Sequence, residues 1–241
     1  MDTFSIPLAK RIAAEALGTG LLLASVVGSG IMAQRLSEGN LALALLANAI
    51  ATGAALAVLI LTFGPISGAH FNPIVTVASA MEGGIPWKEA TIYVTAQGIG
   101  GVAGTLTAHL MFQLPLISIS RHERSGGAQI FSEFVATFGL VCVIWGVSRT
   151  RPRMVAFAVA SYIVAAYWFT ASTSFANPAV TLARAVTDTF SGIRPADVPG
   201  FIGAQLAGGI AATLLFRWLM PGVFEARPGH VEANNEHNGG G

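Results

Sequence analysis

Of 241 residues, 53% are hydrophobic and only 10% charged, against roughly 25% charged in an ordinary soluble domain. A soluble fold with that balance would expose too much apolar surface, and a net charge of +1 offers nothing to nucleic acid or another strongly charged partner. The one cysteine, Cys142, lies in an apolar run, which excludes a disulfide framework or a cysteine metal cluster and reads as a small buried apolar residue.

A membrane-spanning helix needs about 20 mostly apolar residues. The first such run, Leu8–Ala33, is too long for a secretory signal core and carries Glu15, so it reads as a span retained in the mature protein. Leu41–Phe63 follows a short connection holding Arg35 and Glu38. His70–Met81 is uncharged and too short to span, and carries an Asn-Pro pair near its start. Trp87–Leu114, Gln129–Ser148 and Met154–Ser172 are the third, fourth and fifth runs. Ala176–Thr187 repeats the short Asn-Pro stretch, and Val198–Met220 is the sixth run. Residues 221–241, with Asn234, Asn235, Glu236, His237, Asn238 and three final glycines, predict a solvated, disordered tail. Six spans put both termini on one side. Placing them in the cytoplasm leaves eight Lys and Arg inside against five outside, in keeping with the positive-inside rule and an inner (plasma) membrane location.

The halves echo each other. Asn72-Pro73-Ile74-Val75-Thr76-Val77-Ala78 matches Asn177-Pro178-Ala179-Val180-Thr181-Leu182-Ala183, Ala96-Gln97 matches Ala204-Gln205, and Glu15 with Thr19 matches Glu133 with Thr137. With three spans in each half, the second must sit upside down relative to the first. Such inverted repeats enclose midplane sites built from interrupted helices. Asn is a favoured N-cap, and Pro is tolerated at the first helical position because its missing N–H would be unpaired anyway. Asn72 and Asn177 therefore predict two half-helices whose N-termini meet mid-membrane. They would present two positive dipole ends and two amides whose NH₂ groups are free to donate outward. Such a junction holds solute oxygens, repels cations and disfavours a proton-conducting water wire.

With Ser67-Gly68-Ala69-His70-Phe71-Asn72-Pro73 and Asn177-Pro178-Ala179-Val180, the sequence resembles the aquaporin, or major intrinsic protein, family over about residues 8–220. The resemblance implies an all-α channel domain over residues 1–220, with repeat halves at about 8–114 and 129–220. It would have six transmembrane helices, two re-entrant half-helices and a homotetrameric assembly with one pore per chain. Two departures stand out. The first motif ends in Ile74 rather than Ala, a bulkier group where the half-helices touch. The family's usual Arg three residues after the second Asn is replaced by Val180. Counting from the motifs, the other three constriction positions fall at Thr52, Ala165 and Ser174. A Thr, Ala, Ser and Val set implies a wide, mildly polar constriction rather than a water-only filter. It is similar to bacterial aquaglyceroporins associated with arsenical resistance, which pass arsenite as neutral As(OH)₃. The implied substrates are arsenite and glycerol-like polyols, with methylated arsenicals and water as further solutes. An ordinary water or glycerol facilitator is the alternative.

Glu15 and Glu133 are carboxylates within apolar helices, where a proton relay is one reading, while the resemblance implies buried structural carboxylates that accept hydrogen bonds from the loops re-entering beside the half-helices. The resemblance implies that His70 lines the inner half of the pore, as a polar wall group or a pH gate. Arg184 falls seven residues after Asn177 and is expected at the outer surface or pore mouth, unable to stand in for the missing Arg. A coupled secondary transporter, the main rival, would need ion-coupling carboxylates at the midplane. A structural junction protein would have an inactive pore. Neither a nucleophile–His–acid set, a metal-ligand spacing nor a phosphate loop is present, so the sequence suggests no enzyme, metal or cofactor.

Overall fold

The computed structural model describes residues 6–221, so the expectation for the tail from residue 222 onward lies outside the described residues. Among the described residues eight α-helices run α1 Leu8–Leu36, α2 Leu41–Ser67, α3 Pro73–Met81, α4 Trp87–Met111, α5 Gly127–Thr150, α6 Val155–Phe169, α7 Pro178–Ala183 and α8 Val198–Leu219. Six are long and two, α3 and α7, are short helices that open at the Asn-Pro pairs. Among the described residues, five helices are both long and apolar enough to cross a bilayer. The sixth, α4, has the length, at 25 residues, but its Lys88, Glu89, Gln97, threonines and glycines dilute its hydropathy. It spends that polarity inward, because Gln97 and Thr105 are fully buried.

The architecture is inside-out relative to a soluble domain. Leu17, Leu21, Ile50, Val58, Ile99 and Leu214 face outward, where lipid tails satisfy them, while Glu15, Gln97, Glu133 and Gln205 are sealed at the centre. Lipid supplies no hydrophobic drive between helices, so close packing must do the work. Helix α1 packs along α4 and α5 along α8, the same pairing in each half. The glycines permit it: a Cβ on Gly100 would lie 2.1 Å from the Ala16 carbonyl oxygen, one on Gly104 2.0 Å from that of Gly20, and one on Gly208 2.4 Å from that of Phe134.

Element ends differ from the sequence reading where local chemistry overrides hydropathy. Helix α2 runs on through Pro65 to Ser67 and stops at Gly68, whose φ of +89° is a left-handed C-cap. Helix α6 stops at Phe169, because Thr170 is already extended and begins the re-entrant loop, although the apolar run continues to Ser172.

Candidate functional site

The two short helices are delivered to the centre by loops of unusual conformation. Ala69 and Phe71, three and one residues before Asn72, have φ of +50° and +49°. Ser174 and Ala176, at the same offsets before Asn177, have φ of +51° and +48°. Left-handed backbone at a non-glycine residue costs roughly 1–2 kcal/mol. The offset is charge-assisted hydrogen bonding. Glu15 accepts from the Ser67 hydroxyl at 2.6 Å, the His70 and Phe71 amides at 2.9 and 2.8 Å, and Gln97 Nε2 at 2.8 Å. Glu133 accepts from the Phe175 and Ala176 amides at 2.9 Å each and from Gln205 Nε2 at 2.6 Å. The same glutamines donate onward to Thr76 and Thr181 of the half-helices, at 3.0 and 2.9 Å. Ser67 and Ser172, each five residues before its Asn, brace the loops through bonds to the Ala69 and Ser174 amides. This serine match is a repeat element the sequence reading missed, though its signal was there.

At the junction, Asn72 Oδ1 accepts from the Ile74 amide at 2.9 Å. Asn177 Oδ1 accepts from those of Ala179 and Val180 at 3.0 and 3.3 Å. The caps are as the sequence predicts, but the amide groups are less free. Asn72 Nδ2 donates to the Ala176 carbonyl and Asn177 Nδ2 to the Phe71 carbonyl, both at 2.8 Å. Each amide thus has one N–H latched across the pseudo-two-fold axis and only one left for a solute. Pro73 and Pro178 occupy the first helical positions. The Ile74 residue is not part of the cavity wall. It turns outward into a pocket with Val141 and Ala212, where a Cβ on Gly209 would lie 2.1 Å from its Cγ2. Ala179 is buried likewise, its carbonyl beside Gly101.

Both asparagines line one elongated cavity of about 250 Å³, far above the 10–15 Å³ or so that a single water needs. On the side carrying the chain termini its wall includes Trp145, Ser148 and Ser79, and near the centre His70 and Val75. His70 Nδ1 lies 3.1 Å from Thr76 Oγ1, and its ring is edge-on to Tyr93. On the far side the wall holds Thr52, Tyr167, Ser174, Val180 and Arg184, facing apolar Leu22 and Val26. Three of the four expected constriction residues are therefore in the wall and one is not. Ala165 is exposed on the outer face of α6. At 100° per residue, 165 points away from the Val159, Ile163 and Tyr167 stripe that lines the cavity. Tyr167, two residues on, is in the wall, and its hydroxyl lies 3.2 Å from Thr52 Oγ1. The Ser174 hydroxyl is buried with no partner among the described residues.

Of the two places expected for Arg184, the outer surface or the pore mouth, the structure excludes the first and sets it on the cavity wall. It follows Val180 by four residues, one turn farther on the same face, and a 3₁₀ turn over Arg184–Val186 keeps it on the lumen. Its residue is only 2% exposed. Its guanidinium stacks 3.4 Å from the centre of the Phe175 ring, and Nε donates to the Ser191 carbonyl. Arg124 approaches the same ring at 4.9 Å, but it ties loops together: Nε to the Gly192 carbonyl at 2.8 Å, and a terminal nitrogen to that of Ser172 at 3.1 Å.

The profile of the family described as Major intrinsic protein matches residues 3–155 and 147–240. The chain is 56% identical over 213 residues to aquaglyceroporin AqpS of Rhizobium meliloti (strain 1021), covering 88% of this chain and 91% of that one. It is 31% identical over 210 residues to the probable aquaporin NIP4-2 of Arabidopsis thaliana, covering 84% and 73%. The X-ray structure of the aquaglyceroporin from Plasmodium falciparum superposes with a TM-score of 0.70 at 18% identity, covering 90% of this chain and 99% of that one, a likeness of fold.

Proposed function

The chain belongs to the major intrinsic protein family, and from the character of its lumen we propose that it is a passive channel of the aquaglyceroporin class. Its solutes are small and uncharged: arsenite as As(OH)₃ and glycerol-like polyols, with methylated arsenicals and water also admitted. The observation that carries this reading is the far-side wall. Thr52, Tyr167 and Ser174 are hydroxyl-bearing residues of a wall that also includes Leu22, Val26 and Val180. A polyol or As(OH)₃ matches such a wall, since it can exchange hydrogen bonds with hydroxyls on one side and lay its less polar face against aliphatic carbon on the other. Val180 leaves open the space an Arg side chain would fill. The Asn72 and Asn177 amides, each with one N–H uncommitted, hold a passing oxygen at the midplane, and His70 serves as a polar wall group.

Coupled transport is the less favoured reading. Glu15 and Glu133 are both 0% exposed and lie outside the cavity wall, and each is occupied by three or four hydrogen bonds. They serve as structural carboxylates bracing the re-entrant loops. The channel assembles as a homotetramer in the inner membrane with both termini cytoplasmic, so the Val180 end of the lumen opens outward. Stopped-flow measurements on proteoliposomes test the reading: glycerol and arsenite influx well above that of empty vesicles, reduced at least tenfold by Val180→Arg, is the expected result. Water flux alone would leave an ordinary water facilitator, and accumulation against a gradient would reinstate the transporter.

A further inference from the structure

Arg184 is a buried cation on the lumen wall whose terminal nitrogens have no assigned work. Its Nε is committed to Ser191, and Ser191 is itself fixed, fully buried with its hydroxyl on the Val26 carbonyl at 3.2 Å. The guanidinium plane is held against Phe175. Neither terminal nitrogen donates to any described residue, and neither is among the buried polar atoms sealed away without a partner. The N–H groups left over therefore have access to the cavity that Arg184 lines. The side chain is clamped at its middle and open at its tip. Arg124 differs, since it stands outside the cavity wall and its donors run to loop carbonyls.

We infer that Arg184 is the charge-selecting residue of the far-side lumen, so that this pore divides between two residues, one turn apart, what a single wall arginine would combine. Val180 sets the width and Arg184 sets the sign of charge that passes. A guanidinium cannot lose its proton at physiological pH, and a largely enclosed, low-dielectric lumen screens it little. A unit charge about 5 Å from the path, at an effective dielectric constant of about 20, disfavours a permeating cation on the order of a hundredfold. The free N–H groups at the same time offer donors to the oxygens of a neutral solute. Because the group lies against Phe175, one turn beyond Val180, it supplies this field without closing the wall at Val180 itself.

The inference rests on the channel reading, and the test separates the two. The full-length chain is reconstituted in vesicles, and potassium and proton leak are recorded beside glycerol influx. Arg184→Gln is expected to raise the cation leak per channel at least tenfold, and Arg184→Lys, which keeps the charge, to stay within a few-fold of the parent protein. An unchanged leak in Arg184→Gln vesicles that still take up glycerol overturns the inference, as does an equal rise in both variants. The parent protein gives a second arm that needs no variant to fold. In a KCl gradient its residual current should reverse toward the chloride potential, and a preference for potassium overturns the inference. Parent vesicles that admit neither glycerol nor arsenite overturn the channel reading instead.

Discussion

Gly209→Ala should weaken the protein through one identifiable collision, and Ile74→Ala should relieve it. The new Cβ would fall 2.1 Å from Ile74 Cγ2, where real Cβ atoms essentially never come within 3.0 Å of a neighbour. Ile74 cannot step aside easily. It is β-branched and stiff at χ1, and its backbone is fixed by the Asn72 cap. Overpacking of this kind costs about 1–3 kcal/mol, against which Ala regains up to about 1 kcal/mol of helix propensity over Gly. A net loss of ~1–2 kcal/mol corresponds to a fall of roughly 2–8 °C in melting temperature at this chain length. Ile74→Ala alone leaves a cavity and costs about 2–5 kcal/mol. In the double variant the methyl introduced at position 209 occupies part of that space, so the two effects should fall short of additivity by about 1–3 kcal/mol. Melting of the purified protein in detergent, for the parent, both singles and the double, gives the cycle directly. Strict additivity, or a Gly209→Ala protein as stable as the parent, would refute the argument that Ile74 and Gly209 are complementary halves of one contact.

Other expectations follow from the same geometry. Glu133→Gln replaces a carboxylate that accepts from the Phe175 and Ala176 amides and Gln205 with a group having one acceptor and a misplaced donor, so it should cost about 3 kcal/mol or more and deplete folded protein; normal yield and melting would argue against the bracing role. Tyr167→Phe removes the hydroxyl beside Thr52 and should lower glycerol relative to water permeability about fivefold, the equivalent of one hydrogen bond near 1 kcal/mol; an unchanged ratio would place Tyr167 outside the solute path. Val180→Arg sets a second guanidinium one turn from Arg184, so besides blocking solutes it should lower the melting temperature, and the added substitution Arg184→Gln should recover part of that loss.

Much of this architecture can be read from residue types at fixed offsets. Glu15, Asn72, Thr76 and Gln97, and their counterparts Glu133, Asn177, Thr181 and Gln205, stand in the same order in both halves and are joined by the same hydrogen bonds. Thr19 and Thr137, matched just as well in sequence, stay out of that network: both hydroxyls are buried without a partner among the described residues. What could not be read depended on rotation and loop geometry. Counting back from Asn177 to α6 crosses the loop 170–177, and a two-residue difference in its register turns a helix by about 200°, which is the difference between Ala165 and Tyr167. Seven residues from Asn177 suggested the outer surface or pore mouth for Arg184, and the 3₁₀ turn and the Phe175 ring hold it on the cavity wall rather than the outer surface. The left-handed residues at Ala69, Phe71, Ser174 and Ala176 had no signal, because their strain is offset by carboxylates far away in sequence.

The latch between Asn72 and Asn177 bears on how the chain is made. Every bond to Glu15 comes from residues up to Gln97, so the first half can settle its buried carboxylate as soon as it has been inserted. Its asparagine cannot be settled in the same way. Asn72 Nδ2 and the Phe71 carbonyl find their partners only in Ala176 and Asn177, more than a hundred residues later in synthesis. A first half without the second would leave one donor and one acceptor of this latch unpaired at membrane depth. Pairing them requires the second half in the orientation that brings Ala176 and Asn177 to the centre, so the latch ties the two inverted halves to one relative orientation.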